Sequence, residues 1–175
     1  MRYFVYVLAA AILAGCSTPP PAPKQTNVSN RKGYSLGRPE GWDEMILYQG
    51  TDLTYLSPWE TENDAFREKI NVLIEMLPPM VTVDQYYKMN VDYMKKMHAR
   101  FRAEKEGAVE LGGAAGYYVK YDYLGRDGHM SNEAYLFEND GTVYIVTCVA
   151  TDESFPRYKP AFDTVVGTFR LTGVK

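Results

Sequence analysis

The sequence predicts an α+β fold, an α/β/α sandwich in which helices pack on the faces of a central antiparallel sheet. Segments with strand character outnumber helical segments along the chain. Short turns join consecutive strands, and the regular strand–helix alternation of a parallel sheet does not occur. The 175 residues suit a single domain, which at this size folds without a metal or a disulfide.

Four strands are predicted in the first half of the folded region, over residues 34–36, 42–48, 52–57 and 69–77. The turn that contains Pro39 and Gly41 delivers Trp42 into the second of these strands and toward the core. The fourth strand is dense in β-branched residues and ends before Pro78-Pro79.

A helix is predicted over residues 83–100. Thr82 and Gln85 form a capping box at its start, in which the hydroxyl and the amide satisfy free backbone groups. Apolar side chains then recur every three or four residues, and we expect this stripe to pack against the core. The stripe comprises Tyr86, Met89 or Asn90, Tyr93, Met97 and Phe101.

The second half predicts a meander of strands over residues 103–111, 115–124, 130–138 and 143–151. Asp140-Gly141 indicates a two-residue hairpin, because both central positions need positive φ. Cys148 lies in the last of these strands, and we expect a buried, inert thiol there. A second helix over 157–167 and a return to the sheet edge at 169–171 complete the chain. The side chains of this second helix that are expected to face inward are Tyr158, Phe162, Val165 and Val166.

The order of these parts resembles a known family. An aromatic first strand with P-x-G-W at 39–42 precedes a strand that ends in Pro-Pro. A T-x-x-Q helix start follows, then a Gly-Gly-Ala-x-Gly-Tyr turn at 112–117, a D-G hairpin and a terminal helix ending near Thr168-Phe169. The pattern is similar to the PsbP-like superfamily, which includes photosystem II extrinsic proteins, DcrB-type bacterial lipoproteins and secretion chaperones. The resemblance implies an α/β/α sandwich that binds or stabilises a larger partner, and it supplies no catalytic residues.

The N-terminus predicts lipid attachment. Residues 3–14 are apolar and uncharged, and as a helix they span only about 18 Å, too short for a bilayer. The segment ends in Leu13, Ala14, Gly15 and Cys16, which resembles the lipobox of bacterial lipoproteins. That resemblance implies diacylglycerol attachment to the Cys16 thiol and cleavage before it. An ordinary secretory signal with a chance cysteine is the alternative.

Three regions are therefore expected: a lipoprotein signal peptide (1–15), a lipidated cysteine with a proline-rich tether (16–32), and a PsbP-like domain (33–175). The predicted location is the cell envelope, with the membrane as one partner through the lipid anchor. Ser17, which follows the cysteine, resembles the pattern of lipoproteins sent to the outer membrane, facing the periplasm, in Gram-negative cells.

Composition and motifs argue against several functions. A formal charge of −3 does not suit nucleic acid, which selects basic faces. Motifs of serine hydrolases, zinc peptidases, nucleotide-binding loops and C-x-x-C redox sites do not occur. His98 and His129 sit on different elements and lack a second ligand at helical spacing, so no metal site is assigned. We expect no cofactor and no enzymatic activity.

The predicted strand pairing gathers a mixed aromatic and charged set on one sheet face. If Leu124 lies opposite His129 in the first hairpin, then Lys120 lies opposite Glu133 on the same face of the sheet. Aromatic rings then occupy the other end of that face. Such a face suits a binding patch, because rings supply contact area and charges set orientation. A solvated, salt-bridged sheet end beside a second core is the alternative. The candidate patch comprises Tyr118, Lys120, Asp122, His129, Glu133, Tyr135, Phe137 and Tyr144.

Two functional hypotheses follow. The first is a membrane-anchored, non-catalytic binding or assembly module for an envelope protein or complex. The second is a carrier or sensor of a small ligand or metal ion, held in a pocket between the sheet and a helix. The first predicts a partner protein, and the second predicts stabilisation by a ligand.

Overall fold

The computed structural model describes residues 25–62 and 64–173 and confirms the α+β sandwich. Seven strands form one antiparallel sheet in the order β3-β4-β5-β9-β8-β7-β6, and β1, β2 and β10 form a small second sheet. The strands are β1 (Gln25–Arg31), β2 (Tyr34–Pro39), β3 (Asp43–Ile46), β4 (Leu53–Leu56), β5 (Lys69–Met76), β6 (Ala99–Leu111), β7 (Ala114–Gly125), β8 (Gly128–Asn139), β9 (Thr142–Thr151) and β10 (Arg170–Leu171). The helices are α1 (Val83–Met97) and α2 (Phe155–Val166).

The long hairpins of the second half form as predicted. Asp140 and Gly141 have φ of 50° and 75°, the left-handed values that a tight two-residue turn requires. They hold β8 and β9 in register from Asn139 opposite Thr142 to Met130 opposite Thr151. The centre of the large sheet is therefore built from strands close in sequence.

One face of the large sheet is covered by α2 and the small sheet. Trp42 is 3% exposed there and meets the ring of Phe162 edge-on, with centroids 6.4 Å apart. The thiol of Cys148 is fully buried in the same core, and burial raises its pKa, as expected for an inert cysteine. The largest side chains of this core are Tyr34, Tyr55, Phe137, Phe162 and Phe169.

The other face carries α1, which begins with the predicted capping box. The amide of Gln85 donates to the Thr82 hydroxyl at 3.2 Å, and the Thr82 amide donates back to the Gln85 side chain at 2.9 Å. The helix packs by Tyr87 and Val91 onto a second cluster of sheet residues. The members from the sheet are Val119, Tyr121, Ala134, Leu136 and Val143.

The inward stripe predicted for α1 is largely wrong. Met89, Tyr93 and Met97 are 58%, 61% and 61% exposed, whereas Tyr87 and Val91 face the sheet. Tyr86 is buried as predicted, and Asn90, the alternative to Met89, is half-buried. The helix ends at Met97, so Phe101 belongs to β6, from which it packs against the second cluster. A helix with apolar side chains over more than half its circumference can bury only one side, and stacking of Tyr87 on the sheet selects that side.

The domain also begins earlier than the predicted boundary at residue 33. Strand β1 lies inside residues 16–32, which the sequence assigns to a tether, and its backbone pairs with β2. Arg31 adds two hydrogen bonds to the carboxylate of Asp52, each 3.0 Å long. The polar sequence of β1 conceals a strand, because backbone pairing at a sheet edge does not require apolar side chains.

Candidate functional site

The strand register that defines the predicted patch is confirmed. Lys120 lies opposite Glu133, and Asp122 lies opposite Ser131. On the next hairpin Phe137 lies opposite Tyr144. The patch residues of strands β7, β8 and β9 therefore share one face of the sheet, as the turns indicated.

Half of that face is not accessible, which corrects the prediction of a surface patch. Glu133, Tyr135, Phe137 and Tyr144 are buried beneath α2 and the small sheet. The Phe137 ring stacks on Phe169 at 4.9 Å between centroids. The physical reason is that both faces of the central strands are apolar, so the chain covers both, and rings expected at a surface fill the core.

The charged and hydroxyl groups of the patch are paired with one another or with neighbouring side chains. Glu133 is 2% exposed and accepts hydrogen bonds from the hydroxyls of Tyr118, at 2.9 Å, and Tyr135, at 3.1 Å. The ammonium of Lys159 on α2 lies 3.5 Å from the same carboxylate. Lys120 forms its ion pair with Glu104 and not with Glu133.

At the polar end of the face, Asp122 accepts hydrogen bonds from Ser131, at 2.7 Å, and Arg102, at 3.0 Å. Burial would raise the pKa of the Asp122 carboxyl, but these donors outweigh it and hold the pKa below its ordinary value. His129 is exposed beside this group. The end of the sheet is a salt-bridged surface next to a core, which is the alternative that the sequence left open.

The predicted lipidation motif, Leu13, Ala14, Gly15 and Cys16, lies outside the described residues, so its interpretation rests on the sequence alone. Within the part of the chain that is described, neither helix is long and apolar enough to cross a membrane.

A groove runs beside α1, between the helix and the sheet, where the small-ligand hypothesis expected a pocket, although the sequence did not predict the lining residues. The helix covers β7 and β8 but leaves the same face of β5 and β9 partly open, where Leu73 and Ile145 are only half-buried. The groove between α1 and these strands has a volume of about 290 Å³. Its lining comes from five elements: Leu73, Glu75, Tyr87, Asn90, Val91, Tyr93, Met94, Val119, Tyr121, Ala134, Leu136, Ile145 and Thr147.

The exposed stripe of α1 adjoins this groove through Tyr93. Met89, Tyr93 and Met97 are spaced by four residues, so each is turned only about 40° from the last around the helix. Tyr93 belongs to both features, because it lines the groove and is mostly exposed. Groove and stripe together form one continuous apolar surface, which we call the α1 surface.

The polar groups of the groove are few. Among the described lining residues Glu75 has the only carboxyl group, which accepts a hydrogen bond from the hydroxyl of Tyr86. The Asn90 side chain donates to the Tyr86 carbonyl at 3.0 Å. Burial raises the pKa of Tyr121 on the floor, which keeps that phenol neutral. The lining is thus uncharged except at the Glu75 end, where it carries one negative charge.

The sequence does hold one indication of the α1 surface. Residues 86–97 contain seven large apolar side chains, more than one face of a helix can bury. Exposed methionine and tyrosine adapt readily to a bound surface. Among the described residues no cluster of three or more His, Cys, Asp or Glu could hold a metal ion. The exposed stripe and the open groove suit contact with another molecule.

Comparison with known proteins agrees with the architecture. The sequence profile of the PsbP family matches residues 24–171. The solution structure of cyanobacterial PsbP (CyanoP) from Synechocystis shares 20% identity, covering 91% of this chain and 98% of that one, with a TM-score of 0.62. LpqN of Mycobacterium tuberculosis, described as involved in cell envelope biogenesis, shares 14% identity over 79% of this chain and 83% of its own, with a TM-score of 0.64.

A third similar structure is the Ran-binding protein Mog1p of Saccharomyces cerevisiae, with 12% identity, coverage of 83% and 95%, and a TM-score of 0.54. At these identities the structures share the fold alone. A sequence search among curated proteins finds no match. The family profile spans most of the 175-residue chain, from the start of the small sheet to its last strand, and the protein belongs to the PsbP family.

Proposed function

We propose that this protein is a lipid-anchored, non-catalytic module of the cell envelope that binds a protein partner through the α1 surface. The observation that carries the proposal is the exposure of Met89, Tyr93 and Met97 beside an open apolar groove. Contiguous exposed apolar surface of this kind marks interaction sites in soluble domains. Similarity to LpqN and Mog1p, described as acting in envelope biogenesis and Ran binding, supports a binding role in general terms.

The shape of the α1 surface favours an amphipathic helix as the bound segment. From Met89 to Met97 the stripe extends about 12 Å, which equals roughly two turns of a partner helix. A helix laid in a groove contributes apolar side chains at positions i, i+3 or i+4, and i+7. The single charged group of the lining, Glu75, favours a basic residue at one end of that helix.

The lipid anchor completes the proposal and limits the reach of the domain. Strand β1 begins at Gln25, nine residues after Cys16. Nine residues span at most about 30 Å when fully extended. A domain held this close to the membrane favours a partner that is itself in or near the membrane.

Photo-crosslinking in living source cells tests the protein-binding proposal. A photoreactive amino acid at Tyr93 or Met97 should capture the same envelope protein, and Tyr93→Asp should abolish capture from Met97. Asp92 provides the matched control, because it is exposed on the adjacent side of the same helix. Equal capture from Asp92, or capture that survives Tyr93→Asp in a normally folded protein, would contradict the proposal.

A small-ligand function is the second candidate, and one observation favours it. The groove beside α1 has a volume of about 290 Å³, and its lining is mostly apolar with a few polar groups, which is the form that small-molecule sites take. A thermal shift with a metabolite panel that is lost in Leu73→Trp, which fills the groove, would favour this candidate over the protein partner.

A further inference from the structure

Strand β6 forms one edge of the large sheet, and within residues 25–62 and 64–173 it pairs with β7 alone. It is 13 residues long, whereas β3 at the opposite edge has four. Natural proteins protect sheet edges by making them short, bulged or covered, because free backbone groups pair with other chains. The edge at β3 is protected by its shortness, but β6 is long.

Only the first half of β6 has a protective irregularity. The register shifts between Ala99 and Arg102 and again between Ala103 and Lys105, and Arg100 has a left-handed φ of 56°. From Lys105 to Leu111 each residue pairs one-for-one with β7. This second half is a regular, unbulged edge of seven residues.

The regular half is also open to approach. Lys105, Glu106, Gly107, Ala108 and Glu110 are all exposed. A methyl group built on Gly107 would meet nothing within 4 Å, so the sheet face toward which Gly107 is turned is open at this point. The α1 helix packs on the face of the sheet and leaves the outer edge of this segment uncovered.

The charge pattern of this segment selects its partner. Glu106, Ala108 and Glu110 alternate onto one face, and the other face presents Lys105, Gly107 and Val109. The Glu106 carboxylate accepts a hydrogen bond from the Tyr87 hydroxyl at 3.1 Å. The lysines of α1 nearest this end are already paired, Lys88 with Asp84 and Lys95 with Asp92. Two carboxylates four residues apart therefore remain for a basic partner.

We propose that residues 105–111 of β6 are a strand-addition site for an extended partner segment with basic side chains at alternate positions. Main-chain hydrogen bonds would provide affinity, and the two carboxylates would provide selectivity. A second copy of this chain fits poorly, because antiparallel pairing centred on Ala108 sets Glu106 against Glu110 twice. The site adjoins the α1 surface through Tyr87, which donates to Glu106, but none of residues 105–111 lines the groove or belongs to the stripe. The proposal therefore does not depend on the proposed function.

Hydrogen-exchange mass spectrometry on the mature chain in detergent tests the strand-addition site. The probe is a hexapeptide of alternating lysine and valine. The peptide should slow exchange several-fold in residues 105–111 and leave β3 unchanged. An alternating glutamate–valine hexapeptide should have no effect. Equal protection by both peptides, protection elsewhere, or no protection at millimolar peptide would overturn the proposal.

Variants sharpen the test. Glu110→Lys should remove the protection, and Glu153→Lys, an identical charge change at an exposed turn, should preserve it. Backbone amides along β6 alternate between facing β7 and facing outward, and a proline removes the amide at its own position. Of the two neighbouring variants Gly107→Pro and Ala108→Pro, one therefore removes an amide that faces outward and leaves the pairing with β7 intact. That variant should melt like the parent protein and lose the protection. Protection by the peptide that is retained in this proline variant would contradict the strand-addition site. Protection that rises with protein concentration in the absence of peptide would indicate pairing with a second copy of the chain and would also contradict the proposal.

Discussion

The ring of Tyr87 on α1 stacks on the ring of Tyr117 on β7, with centroids 4.7 Å apart and planes inclined by 15°. The Tyr87 hydroxyl extends the contact by donating to the carboxylate of Glu106, at 3.1 Å, and to the carbonyl of Tyr118, at 3.3 Å. One side chain thus joins the helix to two strands. This contact determines which side of α1 faces the sheet, and so it determines that Tyr93 and Met97 remain outside.

Replacing Tyr87 should therefore loosen α1 more than any other helix position. Tyr87→Ala removes a buried ring and should lower the free energy of unfolding by about 3 kcal/mol. Tyr87→Phe keeps the stacked ring and loses only the hydroxyl bonds, at a cost of about 1 kcal/mol. Chemical denaturation measures both. Equal losses for the two variants would mean that the hydroxyl and not the ring holds the helix.

The two tryptophans provide a matched pair for the core under α2. Trp42 is 3% exposed, and Trp42→Ala should cost about 3–5 kcal/mol, enough to threaten a marginally stable domain. Trp59 is 58% exposed, and Trp59→Ala should cost less than about 1 kcal/mol. Comparable unfolding midpoints for the two variants would contradict the packing described for Trp42.

The buried Glu133 carboxylate should be far more sensitive than its cross-strand neighbour Lys120. Glu133→Lys places an ammonium group in the core beside Lys159 and should cost at least about 3 kcal/mol. Lys120→Gln removes a partly exposed ion pair with Glu104 and should cost less than about 1 kcal/mol. A folded Glu133→Lys protein with unchanged stability would show that this carboxylate reaches solvent.

Local sequence signals predicted most of the fold, because capping, turns and alternation act within a few residues. Thr82 with Gln85 and Asp140 with Gly141 are found as expected. Local signals could not predict which faces of the sheet and helices are buried, because burial of a face depends on elements that are distant in sequence. Phe137 was expected at a surface and is covered by α2, and Tyr93 was expected in the core and is exposed. The groove depends on the position of α1 across the sheet, which no spacing of residues specifies.

Buried tyrosines should make the domain sensitive to alkali. Burial raises the pKa of Tyr55 to about 12, and burial with the nearby Glu133 carboxylate also raises the pKa of Tyr118 and Tyr135. An unfolded tyrosine titrates near pH 10, so above that pH the unfolded chain binds fewer protons than the folded one. Stability should therefore be complete below about pH 10 and fall as the pH rises.

The denaturation midpoint, followed from pH 7 to pH 11, measures this effect. Tyrosinate absorbance should rise in two steps, the second of which accompanies unfolding and comes from the buried phenols. A midpoint that stays constant to pH 11, or a single absorbance step in the folded protein, would contradict the burial of these phenols.

The lipid anchor is tested by exchanging the two cysteines separately. Cys16→Ala removes the acceptor thiol, so the chain should remain an uncleaved precursor and take up no labelled palmitate. Cys148→Ala is the matched control, because this thiol is buried in the core and its loss leaves the N-terminal motif intact. That variant should be labelled and cleaved like the parent chain. Labelling of Cys16→Ala, or loss of labelling in Cys148→Ala, would contradict a thioether at Cys16. The membrane anchor of the proposed function would then fail, whereas partner binding by the α1 surface is tested independently by crosslinking.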